Sequence, residues 1–329
     1  MTSTARRLMR LIDRLARVRV LVIGDLIADE FIYGRLDRVS REAPVLILKY
    51  DSTEIVPGGA GNAACNAAAL GARVAVIGLA GKDEAGRRLA RALPRGGSGR
   101  LLRPAGYVTP VKTRILAGGV HSAKQQVVRI DRAGGRVTPA IRARVERVLA
   151  AAVGRADAVI ISDYGAGLIT PEIWQRASAR LRRRPGVFVD SRYALAGFHG
   201  MTACTPNESE VESLLGVRIN DDRRVLEASG RTLLSRLGSD AVLITRGSRG
   251  MALFEPGRPT DHIPIVGSDE VADVTGAGDT VIATFALAAG AGASFGDAAR
   301  LANYAGGLVV MKRGTATVNA DELRAAIRS

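Results

Sequence analysis

The chain predicts an α/β fold: a doubly wound, mainly parallel sheet flanked by helices, with a small β lid. Three observations carry this. Short apolar runs of strand type alternate with helical patterns along the whole length, the signature of βαβ units. Two segments, 31–56 and 107–131, break that rhythm with strand-like alternation and no helical period, as in Val45-Leu46-Ile47-Leu48 and Gln126-Val127-Val128-Arg129-Ile130. Finally, the longest apolar run, 281–293, has 13 residues, short of the ~20 that a membrane span needs.

The elements follow in order. Leu8, Leu11, Ile12 and Leu15 recur at helical spacing between arginines and predict a surface helix that packs one face. Strands are expected at 19–23, 73–79, 156–161, 187–189 and 241–245, with a further short one before Thr205. Helices are expected at 61–70, 84–93, 139–152, 171–182, 208–215, 223–237, 277–289 and 295–311. The segments 31–56 and 107–131 read as paired strands that leave the main sheet as a lid. No long Pro- or Ser-rich linker and no repeat divides the chain, so 1–329 reads as one domain plus its lid. Ligands on such sheets sit beyond the carboxyl ends of the strands, which draws attention to Asp25, Asp163, Asp190, Asn207 and Arg246.

Composition narrows the partners. Lys+Arg number 47 and Asp+Glu 32, a formal charge of +15, yet only five of the basic residues are lysines and the arginines are spread over the whole chain. A nucleic-acid binder concentrates its charge and often interleaves aromatics; aromatics are 4% here, and Arg183-Arg184 before Pro185 reads as a solvated helix end. A small anionic substrate is the more economical partner, and neither nucleic acid nor membrane is expected. Cys65 and Cys204 have no metal-ligand spacing and read as free thiols in a reducing, cytoplasmic setting.

Asp273-Val274-Thr275-Gly276-Ala277-Gly278-Asp279-Thr280 precedes an apolar helix. A glycine-rich turn that opens a helix presents N–H groups and a positive dipole end to an anion. Asp279, in the first turn, is placed to take the proton of a hydroxyl attacking a phosphate bound there. Taken alone, the same residues also make a plain capped turn. Pro57-Gly58-Gly59-Ala60-Gly61-Asn62 opens another helix. Residues 59–64 match G-x-G-x-x-A, but the polar Lys49-Tyr50-Asp51-Ser52-Thr53-Glu54 before them is not the buried strand a dinucleotide site requires, which argues against an oxidoreductase. Close backbone approach with Asn62 as donor and acceptor suits a polyhydroxyl ligand, as does Asp25 at the end of the first strand, with Asp29 as a second candidate. Asn207 and Glu210 share one face of a helix start; Glu210 suits a hydrated Mg²⁺, or is a solvated residue behind a cap. Thr245-Arg246-Gly247-Ser248-Arg249-Gly250 ends a strand in a glycine turn fit for a nucleotide.

The ordered set of Gly24-Asp25, Gly58-Gly59-Ala60-Gly61-Asn62, Asn207 with Glu210, Thr245-Arg246-Gly247 and Gly276-Ala277-Gly278-Asp279 resembles the ribokinase (phosphofructokinase B) family of sugar kinases over nearly all of 19–318. Within it the chain is most similar to the D-glycero-β-D-manno-heptose 7-phosphate kinases. That likeness rests on Tyr33-Gly34, Arg38-Val39-Ser40, Glu42-Ala43-Pro44-Val45, Lys112, Arg114, Gln125-Gln126, Arg129, Asp131, Ser162-Asp163-Tyr164, Thr205-Pro206-Asn207, the run from Asp273 to Val281 and Gly314-Thr315. The resemblance implies phosphorylation of the anomeric hydroxyl to the 1,7-bisphosphate, in the route to ADP-heptose and lipopolysaccharide core. It implies Asp279 as base, the N–H groups of Gly276, Ala277 and Gly278 as the anion hole, and Asp25, Gly58, Gly59, Asn62 and Asp163 around the sugar. Lys112, Arg114, Arg129 and Arg192 are then candidates for the substrate's phosphate. ATP is expected near Asn207, Thr245, Gly247, Gly250 and Asn303, Mg²⁺ near Glu210 through water, and a monovalent cation such as K⁺ near Asp273 and Thr275. A homodimer through the lid is expected, and no adenylyltransferase domain. Three departures bear on the substrate: Ala166 and Asp190-Ser191-Arg192 stand where the subfamily often has lysine and Asp-Pro-Lys, and extra residues surround Gly118-Gly119. A kinase for another sugar or sugar phosphate is the alternative; a basic nucleic-acid binder is the remote one.

Overall fold

Six of the eight strand pairings in the main sheet are parallel, which requires crossovers, most of them helical, that carry the chain back across a sheet face. The computed structural model describes residues 2–94, 96, 99–118, 124–179, 181, 185–266 and 273–328. Helix α1 (Ser3–Leu15) precedes β1 (Arg19–Gly24), β2 (Leu26–Val39), β3 (Leu46–Gly59), α2 (Ala60–Ala69), β4 (Arg73–Leu79), α3 (Glu84–Ala92) and β5 (Arg100–Leu102). Next come β6 (Val111–Gly118), β7 (Gln125–Arg132), α4 (Pro139–Ala152), β8 (Ala158–Asp163), α5 (Pro171–Ser178), β9 (Gly186–Ser191) and β10 (Ala203–Cys204). The chain ends through α6 (Glu208–Leu215), α7 (Arg223–Leu237), β11 (Ala241–Thr245), β12 (Met251–Phe254), β13 (Asp261–Ile263), α8 (Ala277–Gly290), α9 (Phe295–Val310) and α10 (Ala320–Arg328).

The nine-stranded sheet has the order β13-β12-β11-β10-β9-β8-β1-β4-β5, parallel except for the pairs β11–β12 and β12–β13. Alternate residues feed opposite cores, as the two-residue period of a strand dictates. Val20, Val22 and Ile160 join the α1, α2, α8 and α9 side, while Leu21, Ile23 and Ile161 join the α4, α5 and α7 side. The strand order reverses at β1, which has β4 on one side and β8 on the other; a ligand crevice is expected there.

The second sheet, β3-β2-β6-β7, is four-stranded. The first segment's strands reach closer to the body than 31–56, since β2 begins one residue beyond Asp25 and β3 runs down to Gly59, whereas β6 begins only at Val111. The segment 107–110 is no strand, and Tyr107 is buried. Shorter elements also differ from expectation. Strands β5, β12 and β13 have three or four residues each, too few for a period to show. The helix expected to 182 ends at Ser178; positions 180, 182–184 and 119, which include Arg183, Arg184 and Gly119, lie outside the described residues. Among the described residues no helix is long and apolar enough to cross a membrane.

Candidate active site

The ends of β1 and β8 meet at the reversal point. The N–H of Asp25 donates to the Ser162 carbonyl at 3.0 Å, and its Oδ2 accepts the N–H groups of Tyr164 at 2.9 Å and Ala166 at 3.0 Å. Burial pushes the Asp25 carboxyl up to about 6, against the pull of these donors. Asp25 opens on a cavity of about 660 Å³ that Lys112, Arg129, Arg132, Arg136, Arg142, Tyr164 and Arg192 also line.

Asp279 lies in the first turn of α8 and is buried. Its Oδ2 accepts from Asn62 Nδ2 at 3.0 Å and its Oδ1 from the Tyr164 hydroxyl at 3.1 Å. Burial pushes its carboxyl up to about 7, while those two hydrogen bonds and Lys112 act in the other direction. A carboxylate poised near neutrality has the affinity a general base requires. The turn before it has Gly276 at φ +78°, and a Cβ there would meet Asn62 Nδ2 at 2.4 Å; glycine is needed for both reasons. Helix α8 has no side-chain cap. The N–H of Ala277 turns back to Val274 O at 3.3 Å, so the expected donor set shifts: Gly276, Gly278 and Asp279 have no acceptor among the described residues. Three free N–H groups at a helix start form an anion site.

Several residues take parts other than those expected from sequence. Asn62 spends its amide on Asp279 and on Gly276 O at 3.1 Å, and its Oδ1 accepts from Asn66. Its amide therefore holds the Asp279 carboxylate and the turn, a structural part in place of the sugar contact expected from sequence. A side chain on Gly58 would strike the Asp29 carboxylate, and one on Gly59, at φ +57°, would crowd the Tyr164 ring, so the two glycines seat those residues. Asp163 accepts from Ser191 Oγ at 2.7 Å and Gly165 N at 2.9 Å; it anchors the loop after β8. Arg114 corrects the phosphate assignment: it is buried, paired with Asp29 Oδ1 at 2.7 Å and stacked over Phe31. Asp29 is fully engaged, since its Oδ2 accepts from Thr315 at 3.0 Å.

Lys112, Arg129 and Arg192 do reach the cavity. Lys112 sits with Nζ 4.9 Å from the Tyr164 ring centre, and burial lowers its pKa. Arg129 is bidentate with Asp131, and Arg132 pairs with Glu30. Arg136 and Arg142 were not singled out from the sequence. Arg142 stands at the start of α4, where its guanidinium donates to Gly167 O at 3.2 Å and makes no ion pair among the described residues, and Arg136 has no partner among them. A helix start at 139 was legible; its opening onto the lid's cavity was not.

A second cavity of about 500 Å³ is lined by Asn207, Glu208, Thr245, Arg246, Gly247 and Arg249, among others. Asn207 and Glu210 form a reciprocal capping box on α6. Gly250 and Asn303 lie toward β13 instead. A Cβ on Gly250 would collide with Ile263 O, and Asn303 donates to Pro264 O at 2.7 Å. Asp273 accepts from Thr275 N at 2.9 Å and Gly314 N at 3.0 Å, one on each oxygen. Burial raises the pKa of Glu210, and burial with Glu210 nearby raises that of Asp190 well above the carboxylate range. Asp190 has no hydrogen-bond partner among the described residues. Two such carboxylates suit a hydrated divalent cation, although no group of three or more candidate ligands occurs among the described residues.

The description "pfkB family carbohydrate kinase" matches residues 19–97 and 127–322. The chain is 41% identical over 321 residues to the "Bifunctional protein HldE" of Citrifermentans bemidjiense, covering 96% of this chain and 64% of that one. It is 39% identical over 318 residues to the protein of that name from Pseudomonas aeruginosa LESB58, covering 96% and 65%. The chain thus spans less than two thirds of the length of these relatives. Among solved structures, Arabidopsis thaliana ribokinase complexed with ribose and ATP matches with a TM-score of 0.71 at 20% identity, over 95% of this chain and 99% of that one. Escherichia coli phosphofructokinase-2 in complex with fructose-6-phosphate matches with 0.76 at 17% identity, over 94% and 98%. Both share the fold described above.

Proposed function

This chain belongs to the pfkB family of carbohydrate kinases, and from that premise we propose that it transfers the γ-phosphoryl group of ATP to the anomeric hydroxyl of D-glycero-β-D-manno-heptose 7-phosphate. The observation that carries the substrate reading is the cavity beside Asp25. Lys112, Arg136, Arg142 and Arg192 line it with no carboxylate in ion-pair contact among the described residues. Cations left unpaired in a cleft favour an anionic ligand, and a sugar phosphate supplies one.

Asp279 takes the hydroxyl proton as the oxygen attacks phosphorus. The N–H groups of Gly276 and Gly278 hold the oxygens on which negative charge builds. Asp25 holds a sugar hydroxyl through Oδ1, since Oδ2 carries the backbone donors. Asn207, Thr245 and Gly247 line the nucleotide's cleft. Asp190 and Glu210 are the residues that fit Mg²⁺, which supplies charge neutralisation on the phosphates when bound. Asp273 is the candidate side-chain ligand for K⁺: each of its oxygens accepts one backbone N–H and keeps a lone pair for a cation.

The lid supports a homodimer reading. Leu36, Val39, Leu46, Tyr50, Val128 and Ile130 are exposed on its strands, an apolar surface that a second lid would cover. Sedimentation at micromolar concentration should give a dimer; a monomer alone would refute that part.

The substrate test is ADP release across a panel of sugar phosphates and their free sugars. Turnover of heptose 7-phosphate far above the free heptose, with phosphorus NMR giving an anomeric phosphate, is expected. Preference for an unphosphorylated sugar would overturn the assignment.

A further inference from the structure

We propose that Tyr164 is the positioning residue of this site, with its hydroxyl holding the base Asp279 and its backbone N–H holding Asp25. The inference rests on the reading of Asp279 as base. Tyr164 follows β8 directly, lines the substrate cavity, and makes both contacts at once: 3.1 Å from its hydroxyl to Asp279 Oδ1, and 2.9 Å from its N–H to Asp25 Oδ2. One residue therefore registers the proton acceptor against the sugar ligand. Gly59 leaves the ring its room, since a Cβ there would lie 3.2 Å from the Tyr164 ring, and Lys112 Nζ lies over the ring. Asn62 holds the other oxygen of Asp279, so the carboxylate is fixed from two sides.

The consequence is chemical as well as geometric. A hydrogen bond donated to a carboxylate favours its ionised form, and only that form accepts a proton from the sugar. The charge of Asp279, then burial, keeps the Tyr164 hydroxyl protonated well beyond its ordinary range, so it remains a donor. Other groups facing Asp279 are Asp29 from β2, which raises its pKa, and Lys112 from β6, which lowers it. Asp190 from β9 also interacts with it, and Arg114 partly offsets Asp29. Tyr164→Phe leaves all of these, and the N–H bond to Asp25, in place.

The test is the pH profile of Tyr164→Phe, with melting temperature and ATP binding as controls. The acid limb of kcat should move up by about one pH unit, with kcat down about fivefold near pH 7, about tenfold on the limb well below it, and recovering near pH 9, as one unit of pKa corresponds to one factor of ten in the proton equilibrium. KM for the sugar phosphate should stay within about twofold. An unmoved acid limb, or a loss without alkaline recovery, would overturn the proposal, because a purely structural defect has no reason to heal at high pH. Carboxyl-carbon NMR of Asp279 gives the same comparison without turnover: its titration must move upward in the variant. In an Asp279→Asn background the tyrosine change should add nothing, and a further loss there would place its action elsewhere. Full turnover by Asp279→Asn alone would refute the base itself, and so is distinguishable from a failure confined to Tyr164.

Discussion

In the cavity beside Asp25, proposed for the sugar, Arg136, Arg142 and Arg192 have no carboxylate in ion-pair contact among the described residues. In the cavity beside Asn207, proposed for the nucleotide, Arg246 is held by Glu208 at 2.7 Å, and Arg249 contacts both Glu208 and Asp221. Both clefts are lined by arginine, but the second matches both of its guanidiniums, whereas the first matches Arg129 and Arg132 and leaves Arg136, Arg142 and Arg192 out of ion-pair contact among the described residues. A guanidinium whose charge is already matched sets the shape of a cleft; one left unmatched strengthens whatever anion enters. Lys112 and Arg114 repeat the contrast two residues apart on β6. Lys112 stands in the cavity, and Arg114 is locked to Asp29. Charge in a sequence thus says little until its partners are known.

The largest expected effect falls where neither cleft acts alone. Asp279→Asn keeps the size of the side chain but cannot take the hydroxyl proton, and turnover should fall ~10²- to 10⁴-fold with ATP binding intact by calorimetry. In the wild type, kcat should fall as the pH drops through about 7, because the protonated carboxyl is then the dominant form. More than half of normal turnover in Asp279→Asn would remove the base and with it the reason to compare the two sides.

Arg114→Ala should be a stability variant. It strands a buried Asp29 carboxylate whose side chain is 7% exposed, and loss of one partner from a buried pair costs about 3–5 kcal/mol. A clear drop in melting temperature is expected, with KM for the sugar phosphate changed less than about threefold in the folded fraction. The reverse pattern, normal melting and a raised KM, would return Arg114 to the substrate.

That residue marks the limit of sequence reading here. The parallel sheet, the lid and the turn at Gly276 were legible because period, strand-type runs and glycine spacing are local. Helix α10 carries a local signal too, the capping box between Asn319 and Glu322. The parts of Arg114, Asn62 and Tyr164 were not legible. Two-residue spacing puts Lys112 and Arg114 on one face of a strand, but it does not reveal that Asp29 on the neighbouring strand meets only one of them. Asn62 looks like a sugar ligand until the turn at Gly276, 214 positions away, is found against it.

Arg192→Ala should act on binding. Its guanidinium stacks on Tyr193 and is in ion-pair contact with no carboxylate among the described residues, acting on Glu210 only at longer range, so its removal breaks no salt bridge. One charge-assisted contact to a phosphate is worth ~1.5–3 kcal/mol, hence a rise of about tenfold or more in KM for heptose 7-phosphate. Melting should be unchanged and the free heptose unaffected. Raising the salt should weaken the same KM, since open charges are screened. Equal losses on both sugars would mean that Arg192 shapes the cavity as the paired arginines do.

Arg249→Ala gives the smallest effect and the sharpest control. The side chain is 41% exposed and its charge is matched by Glu208 and Asp221, and exposed pairs of this kind contribute ~0–1 kcal/mol. Glu208 keeps Arg246 after the change, so its carboxylate is not left alone. KM for ATP should therefore move by less than about fivefold, as 1 kcal/mol allows, and KM for the sugar phosphate should not move. If ATP binding instead fell tenfold or more, Arg249 would leave its carboxylates for the nucleotide's phosphates, and internal pairing would no longer separate the two clefts.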